Sequence, residues 1–437
     1  MNFNEVKEKI SVSLQKGAVH IFAGSLLTRF VSFFASVIVV RVLSKSDYGI
    51  LSYYENLYNY FFLLAGYGLA KSVLRYVVIT DDINEKKSII QYCKNKGTLF
   101  NIALIIIGVC FSLLYKHPSQ FSSKNFYLII MLLFLPFQYI VNLYIYNERA
   151  FCDNKRYAAV SFLYVLLLVS FKFCGALLWQ LIGAVILPLV IHLIYSVFLT
   201  VIDEKKYFKN AKPFNLSTSL KKEMDIYSIQ CMVTNGLWAL FALNSTFILG
   251  RMIGNAELVA DYKIATVLPS FISILSSSLG IFVGPYFTKH ESEKDYEWCR
   301  KNWIIVILVS TFLIGLVVMG LFLFAPFMIT LVFGEKYVSS FPIMRLLLIA
   351  ALFDAGIRYP TAHLLTSMNK IKYNMIVSVI GIVLQLIFAV LFAYHYGVIG
   401  IAAANILVQF TMSLAITFFF VYYFFIKTPQ KGDLIEK

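Results

Sequence analysis

Apolar runs about twenty residues long, separated by short polar breaks, recur from one end of the chain to the other. A helix needs about 20 consecutive apolar residues to cross a bilayer. Runs of that kind lie at roughly 18–40, 50–78, 97–115, 126–146, 157–178, 181–202, 226–250, 264–287, 303–325, 341–366, 374–394 and 398–426. The fifth and sixth form one apolar stretch, too long for a single crossing, and the break is placed at Trp179 and Gln180. Backbone polar groups in hydrocarbon must be satisfied within the segment, so these runs predict helices. The expected fold is an all-α integral membrane protein of twelve transmembrane helices.

Composition agrees with that pattern. The chain is 59% hydrophobic with a mean hydropathy of +0.76, above the roughly 45–50% apolar content of a soluble domain. The first 17 residues are charged and lead into a full-length span, which does not read as a cleavable signal peptide.

Only 14% of residues are charged, yet the net charge is +15, so the basic residues show orientation. The segments before the first span, after every second span and after the last hold 25 Lys and Arg, against 7 in the alternate segments. The positive-inside rule then places both termini in the cytoplasm, which requires an even number of spans. A multi-pass membrane location is expected. The longest internal connection, 203–223, is lysine-rich and contains Pro213. It reads as a surface linker lying on anionic lipid between an N-terminal lobe (1–202) and a C-terminal lobe (224–426), with a tail at 427–437.

Two pairs of short motifs suggest duplication. Asp47-Tyr48 after the first span matches Asp261-Tyr262 after the seventh, an offset of 214. Tyr157 after Lys155-Arg156 matches Tyr373 after Ile371-Lys372, an offset of 216. Six spans repeated in one orientation, giving two six-helix lobes related as parallel repeats, is a transporter architecture.

Charge inside the spans is where chemistry is expected. Arg29 stands in the middle of the first span, where an arginine costs roughly 2.5–3.5 kcal/mol. Lys71, Arg75, Lys172, Arg345 and Arg358 are the other basic residues within spans, and Glu55 and Asp354 are the acids. Lys71, Arg75 and Arg345 lie near span ends, where long side chains reach the headgroups. Glu55 is placed to pair with either Arg29 or Lys172. Asp354 and Arg358, four apart on the tenth span, share a face. With Pro360 just beyond, they read as a neutralising pair or as a gate at a kink.

The seventh span is polar for its depth, with Gln230, Thr234, Asn235-Gly236, Asn244, Ser245 and Thr246, and the eighth carries Pro269 and Pro285. Arg29, Glu55, Lys172, Gln230, Asn235 and Asn244 are the candidate cavity residues. His192 and His363 read as satisfied interior histidines. The six cysteines form no CxxC pair and read as apolar fillers without disulfide or metal. The chain has no GxxxxGK[ST], HExxH or GxSxG motif, so neither ATP binding by a phosphate loop nor a catalytic site is expected.

Residues 22–29 (FAGSLLTR), with Ser36 and residues 41–49 (RVLSKSDYG), resemble the N-terminal signature of the Wzx-type polysaccharide-biosynthesis flippases. These belong to the multidrug/oligosaccharidyl-lipid/polysaccharide superfamily. Residues 333–337 (FGEKY), followed by Pro342 and Leu346-Leu347, resemble that family's pattern before its tenth helix. The resemblance implies two lobes in a V around a cationic cavity lined chiefly by helices 1, 2, 7 and 8. It implies an undecaprenyl-pyrophosphate-linked oligosaccharide (O-antigen, capsule or similar) flipped to the outer leaflet. Arg29 matches the family's first-helix arginine, and Arg41 and Arg251 sit at the outer ends of the paired first and seventh helices.

No cofactor is implied. Turnover is open to a Na⁺ or H⁺ gradient, the membrane potential or product consumption. Expected partners are the lipid-linked substrate, membrane lipid and the polysaccharide polymerase and chain-length proteins, with no nucleic acid and a monomeric state. A related multidrug exporter coupled to cations is one alternative. Such exporters normally carry an acid in the first helix, where this chain has Arg29. A membrane polymerase or ligase is the other, and it would need a larger external loop than any here.

Overall fold

The computed structural model describes residues 18–427. The side chains of Arg29 and Asn235 fall outside the described residues. Among the described residues every regular element is helical. The helices are α1 (Ala18–Val42), α2 (Lys45–Leu63), α3 (Leu69–Ile79), α4 (Ile83–Leu114), α5 (Phe126–Leu132), α6 (Phe134–Ala150) and α7 (Asn154–Tyr207). They continue with α8 (Thr218–Ile253), α9 (Ala256–Ser292), α10 (Tyr296–Leu323), α11 (Ala325–Phe333), α12 (Phe341–Phe353), α13 (Tyr359–Ser367) and α14 (Ile371–Val421). Among the described residues seven helices are long and apolar enough to cross a membrane, or up to nine if each bent pair is one span. This is a multi-pass membrane protein.

Two of the long helices are hairpins. A straight helix rises 1.5 Å per residue, so residues eight apart stand about 12 Å apart. Yet a Cβ on Gly175 would lie 2.1 Å from the Gly183 carbonyl oxygen, and one on Gly400 would lie 2.0 Å from that of Phe392. The chain therefore folds back in α7 and in α14. The α7 reversal falls at Trp179 and Gln180, the position expected from the apolar pattern, with Gln180 at φ 51° and ψ −131°. The α14 reversal falls at Gly397, φ 60° and ψ −137°. Glycine adopts that conformation freely, whereas glutamine is strained there, at a cost on the order of 1–3 kcal/mol. We expect Gln180→Gly to stabilise the protein by about 1 kcal/mol. Unfolding of the detergent-solubilised variant would show this as a raised midpoint.

The second predicted span, 50–78, is broken as well. Residues 66–68 all take positive φ (55°, 37° and 87°), and α2 and α3 meet at 48°. The Gly66 N–H that the break releases donates to Asn101 Oδ1 at 2.8 Å. Tyr139 fills the bend: Cβ atoms on Gly66 or Gly97 would each lie 2.1 Å from its ring or hydroxyl. Its hydroxyl donates to the Cys93 carbonyl at 2.6 Å.

The described residues divide into two compact units, one ending at Gly236 and one starting at Leu237. In the first, α7 packs on α1 and α6, and α3 packs on α4 and α6. The expected linker is part of this unit rather than a free connector. Phe208, Ala211, Leu216 and Met224 are buried in its core. Lys87 donates to the carbonyls of Phe208 and Ala211, the Lys212 N–H donates to Asn84, and that of Phe214 to Ser88. The end of α7 is held by a buried polar cluster. Arg156 pairs with Glu148 at 2.6 Å and Asp203 at 3.1 Å, both carboxylates being fully buried. Asn147 and Tyr207 donate to Asp203 and Glu148 at 2.9 and 2.8 Å. In the connection beside it, the hydrogen bond from Lys206 holds the Asp153 carboxyl below its usual range.

The first turns of α8 also belong to the first unit. Tyr67, Tyr92 and Lys96 all donate to Asp225, at 2.8, 2.9 and 2.5 Å. Tyr76 donates to Glu223 at 3.0 Å, and Ser72 and Ser228 are hydrogen-bonded. The units thus part inside α8, after Gly236, the glycine of the Asn235-Gly236 pair. In the second unit α9 packs on α12 and α13, and α14 packs on α12 and α13.

Candidate functional site

In the first unit the candidate residues converge from α2 and α7. Lys172 of α7 pairs with Glu55 of α2, one of the two partners open to Glu55 on sequence alone; the side chain of the other, Arg29, lies outside the described residues. Both side chains keep partial exposure, so the pair is polar and accessible rather than sealed. One turn further along α2, Tyr58 donates to Gln138 of α6. Neither Tyr58 nor Gln138 was marked by the sequence, because uncharged polar groups in an apolar run carry no distinctive spacing. The backbone of Arg29 is helical within α1, and α1 packs on α7.

The second unit contains a cavity of about 640 Å³ walled by α8, α9, α12 and α14. Ser245, Thr246, Tyr262, Lys263, Asp354 and Gln409 are among the groups lining it. The Gln409 Oε1 is buried and has no hydrogen-bond partner, so an acceptor stands at the cavity wall unmatched. Most of the remaining polar groups are hydroxyls and amides. These groups can exchange hydrogen bonds with a ligand, beside an apolar lining that includes Phe241, Val267, Pro269 and Leu347.

Behind the cavity lies a buried amide network that fixes its wall. Gln385 donates to the Phe241 carbonyl at 2.8 Å and to Ser245 at 3.0 Å. Asn405 donates to Tyr262 at 3.0 Å and Ser245 at 3.2 Å. Asn244, expected as a cavity residue, is 6% exposed and donates to Gln385 at 3.4 Å. It therefore supports the wall rather than facing the space. Gln385, Asn405 and Gln409 were not marked by the sequence either, for the same reason: each is a single uncharged amide in an apolar span. Gln230, another expected cavity residue, is exposed. Asn235 cannot be placed, because its side chain lies outside the described residues.

Asp354 and Arg358 do pair, with Arg358 Nε donating to Asp354 Oδ1 at 2.5 Å and Arg358 only 2% exposed. They bracket a single π-helical turn, Asp354–Arg358, between α12 and α13. Pro360 accounts for it. Proline has no N–H to return to the carbonyls one turn earlier, and those carbonyls are satisfied from neighbouring helices. Ser276 of α9 donates to Ala355, while Ser310 and Thr311 of α10 donate to Gly356 at 2.5 and 3.2 Å. Ser413 of α14 donates to Phe353 at 2.9 Å. The bulge is thus clamped from three sides, and Asp354 carries it into the cavity.

Arg41 and Arg251 occupy the last turns of α1 and α8 and are exposed. A cation there meets the negative end of the helix dipole. Among the described residues no group of three or more His, Cys, Asp or Glu is placed to hold a metal ion.

The architecture is found in solved transporters. A multidrug resistance MATE family transporter of the MOP superfamily, in an inward-facing conformation, is similar with a TM-score of 0.72 at 12% identity, over 91% of this chain and 94% of that one. The lipid II flippase MurJ, in an inward closed conformation, is similar with a TM-score of 0.72 at 14% identity, over 95% and 89%. A MOP superfamily transporter from Pyrococcus furiosus, described as having a binding pocket of reverse polarity, gives 0.59 at 13% identity, over 94% and 96%. At such identities the likeness is one of fold. No curated protein matches the chain in sequence. The family model described as polysaccharide biosynthesis protein matches residues 14–291, well over half of the chain, and this protein, folded as the MOP superfamily transporters are, belongs to that family.

Proposed function

We propose that this protein is a flippase that carries an undecaprenyl-pyrophosphate-linked oligosaccharide from the cytoplasmic to the outer leaflet of a bacterial plasma membrane by alternating access. The observation that carries the reading is the polysaccharide biosynthesis match over residues 14–291. A lipid-linked pyrophosphate is anionic, and a mid-span arginine such as Arg29 offers a planar fork for phosphate oxygens. The hydroxyl- and amide-rich cavity of the second unit supports recognition of sugar hydroxyls. The solved neighbour MurJ is itself a lipid II flippase.

We read the chain as twelve spans in two six-helix lobes related as parallel repeats, with both termini cytoplasmic. The hairpin geometry supports the duplication. Gln180 and Gly397 take nearly the same φ and ψ and stand 217 positions apart. The close contacts Gly175 with Gly183 and Phe392 with Gly400 are related by the same offset of 217 at both members.

Arg29→Ala is expected to abolish export while the protein still inserts and accumulates, and Arg29→Lys to retain part of it, since charge survives without the bidentate geometry. Surface polysaccharide and intracellular lipid-linked oligosaccharide are the measurements. Normal surface polysaccharide in Arg29→Ala cells, with no accumulation inside, overturns Arg29's role.

A further inference from the structure

On the lysine-rich side of the first unit, a groove of about 590 Å³ separates the start of α4 from the strap that follows α7. Gln91, Tyr92, Asn95 and Lys96 line one wall, and Asn215 and Lys221 contribute to the other. The charge of Lys96 is cancelled by Asp225 at 2.5 Å. Lys221 lies 5.9 Å above the Tyr92 ring and has no carboxylate partner among the described residues. The groove therefore presents one uncancelled cation, a set of amides and an aromatic face.

Its apolar side continues into the bilayer. Gln91 and Asn95 fall on the same face of α4 as Leu99, Ile102, Ile106 and Leu113, at helical spacings of three, four and seven. Those four apolar residues are 68%, 48%, 62% and 66% exposed. Phe214, at the groove's rim, is 52% exposed. One helix face thus passes from amides in the groove to an unbroken lipid-facing stripe, which is the pattern a bound amphiphile needs.

We infer that this groove is a binding site for an anionic glycerophospholipid whose headgroup is a singly charged phosphodiester bearing hydroxyls, with an acyl chain along the α4 stripe. The charge count selects the occupant. One phosphodiester matches one free cation, whereas a polyprenyl pyrophosphate would bring at least two negative charges to it. The amides of Gln91, Asn95 and Asn215 supply donors and acceptors for headgroup hydroxyls. Because the same strap, through Phe208, Ala211 and Phe214, is fastened to α4, a lipid seated there braces the segment that leads into α8. The inference does not depend on which substrate the protein moves.

The test uses purified full-length protein, taken into native mass spectrometry from micelles containing equal phosphatidylglycerol and phosphatidylcholine. Wild type is expected to retain phosphatidylglycerol preferentially. Lys221→Gln lowers that preference about fivefold, the factor expected of one lysine near a membrane surface. In a second mixture, with phosphatidic acid in place of phosphatidylcholine, Asn95→Leu lowers the preference for phosphatidylglycerol over phosphatidic acid, which lacks the glycerol headgroup's hydroxyls. Lys222→Gln, exposed and outside the groove, matches wild type. Equal retention of the two lipids by wild type overturns the site, as does Lys221→Gln behaving as wild type. Displacement of phosphatidylglycerol by an equimolar polyprenyl pyrophosphate overturns the choice of occupant. Export is not read in this experiment, so a different transport substrate leaves the lipid preference unchanged.

Discussion

Arg156→Met is expected to destabilise the first unit by about 3–5 kcal/mol, the range for removing one partner from a buried charge pair. The reason is the company Arg156 keeps. Glu148 and Asp203 are both fully buried, and Arg156 is the cation paired with each. Without it two carboxyl groups remain in a low-dielectric interior, where one must take up a proton or the end of α7 must leave its seat on α6. Against a total stability of about 5–15 kcal/mol, that loss should appear as poor accumulation and a lowered unfolding midpoint in detergent. Adding Glu148→Gln and Asp203→Asn to the same chain removes the uncompensated charge and should recover most of the loss. A single Arg156→Met variant that melts with wild type would mean the cluster does not hold α7.

Gly66→Ala is the second large effect. Its φ of 55° puts an added Cβ in the left-handed region, which costs roughly 1–2 kcal/mol for a non-glycine residue. That Cβ would also sit 2.1 Å from the Tyr139 ring. Overpacking of a filled site typically costs a further 1–3 kcal/mol. Tyr139 has little freedom to withdraw, being 2% exposed and hydrogen-bonded to the Cys93 carbonyl at 2.6 Å. We expect a loss of about 3 kcal/mol from the two effects together. The double variant Gly66→Ala with Tyr139→Leu separates them. It should relieve the clash and leave the backbone strain, so its Gly66→Ala increment falls by roughly half in an unfolding cycle. An increment unchanged by the Tyr139 substitution would place the whole cost in the backbone.

Much of the architecture is legible in the chain alone. Apolar run length depends only on local composition, and it located the helices and the reversal at Trp179 and Gln180. It missed the break at residues 66–68, because hydropathy averages over a window and three left-handed residues leave it unchanged. The lysines of 203–223 read as a polar connection. They concealed that Phe208, Ala211 and Leu216 between them are core residues, since a buried strap and a free linker share the same composition.

The candidate chemistry divides along the same line. Charge inside an apolar run is conspicuous whatever the fold, so Arg29, Glu55, Lys172, Asp354 and Arg358 stood out at once. Which of them meet is a matter of distance between helices far apart in sequence, and Lys172 taking Glu55 was beyond any local pattern. Only packing showed that Asn244 stands behind the cavity wall while Gln409 reaches it. By itself the sequence determined that this is a helical membrane protein with cations placed within its spans, because solvation cost is a property of residue type and run length. The tertiary structure alone decided how those helices fold back, which groups pair and where a cavity opens, because contact geometry is set by packing across the chain and not by neighbours along it.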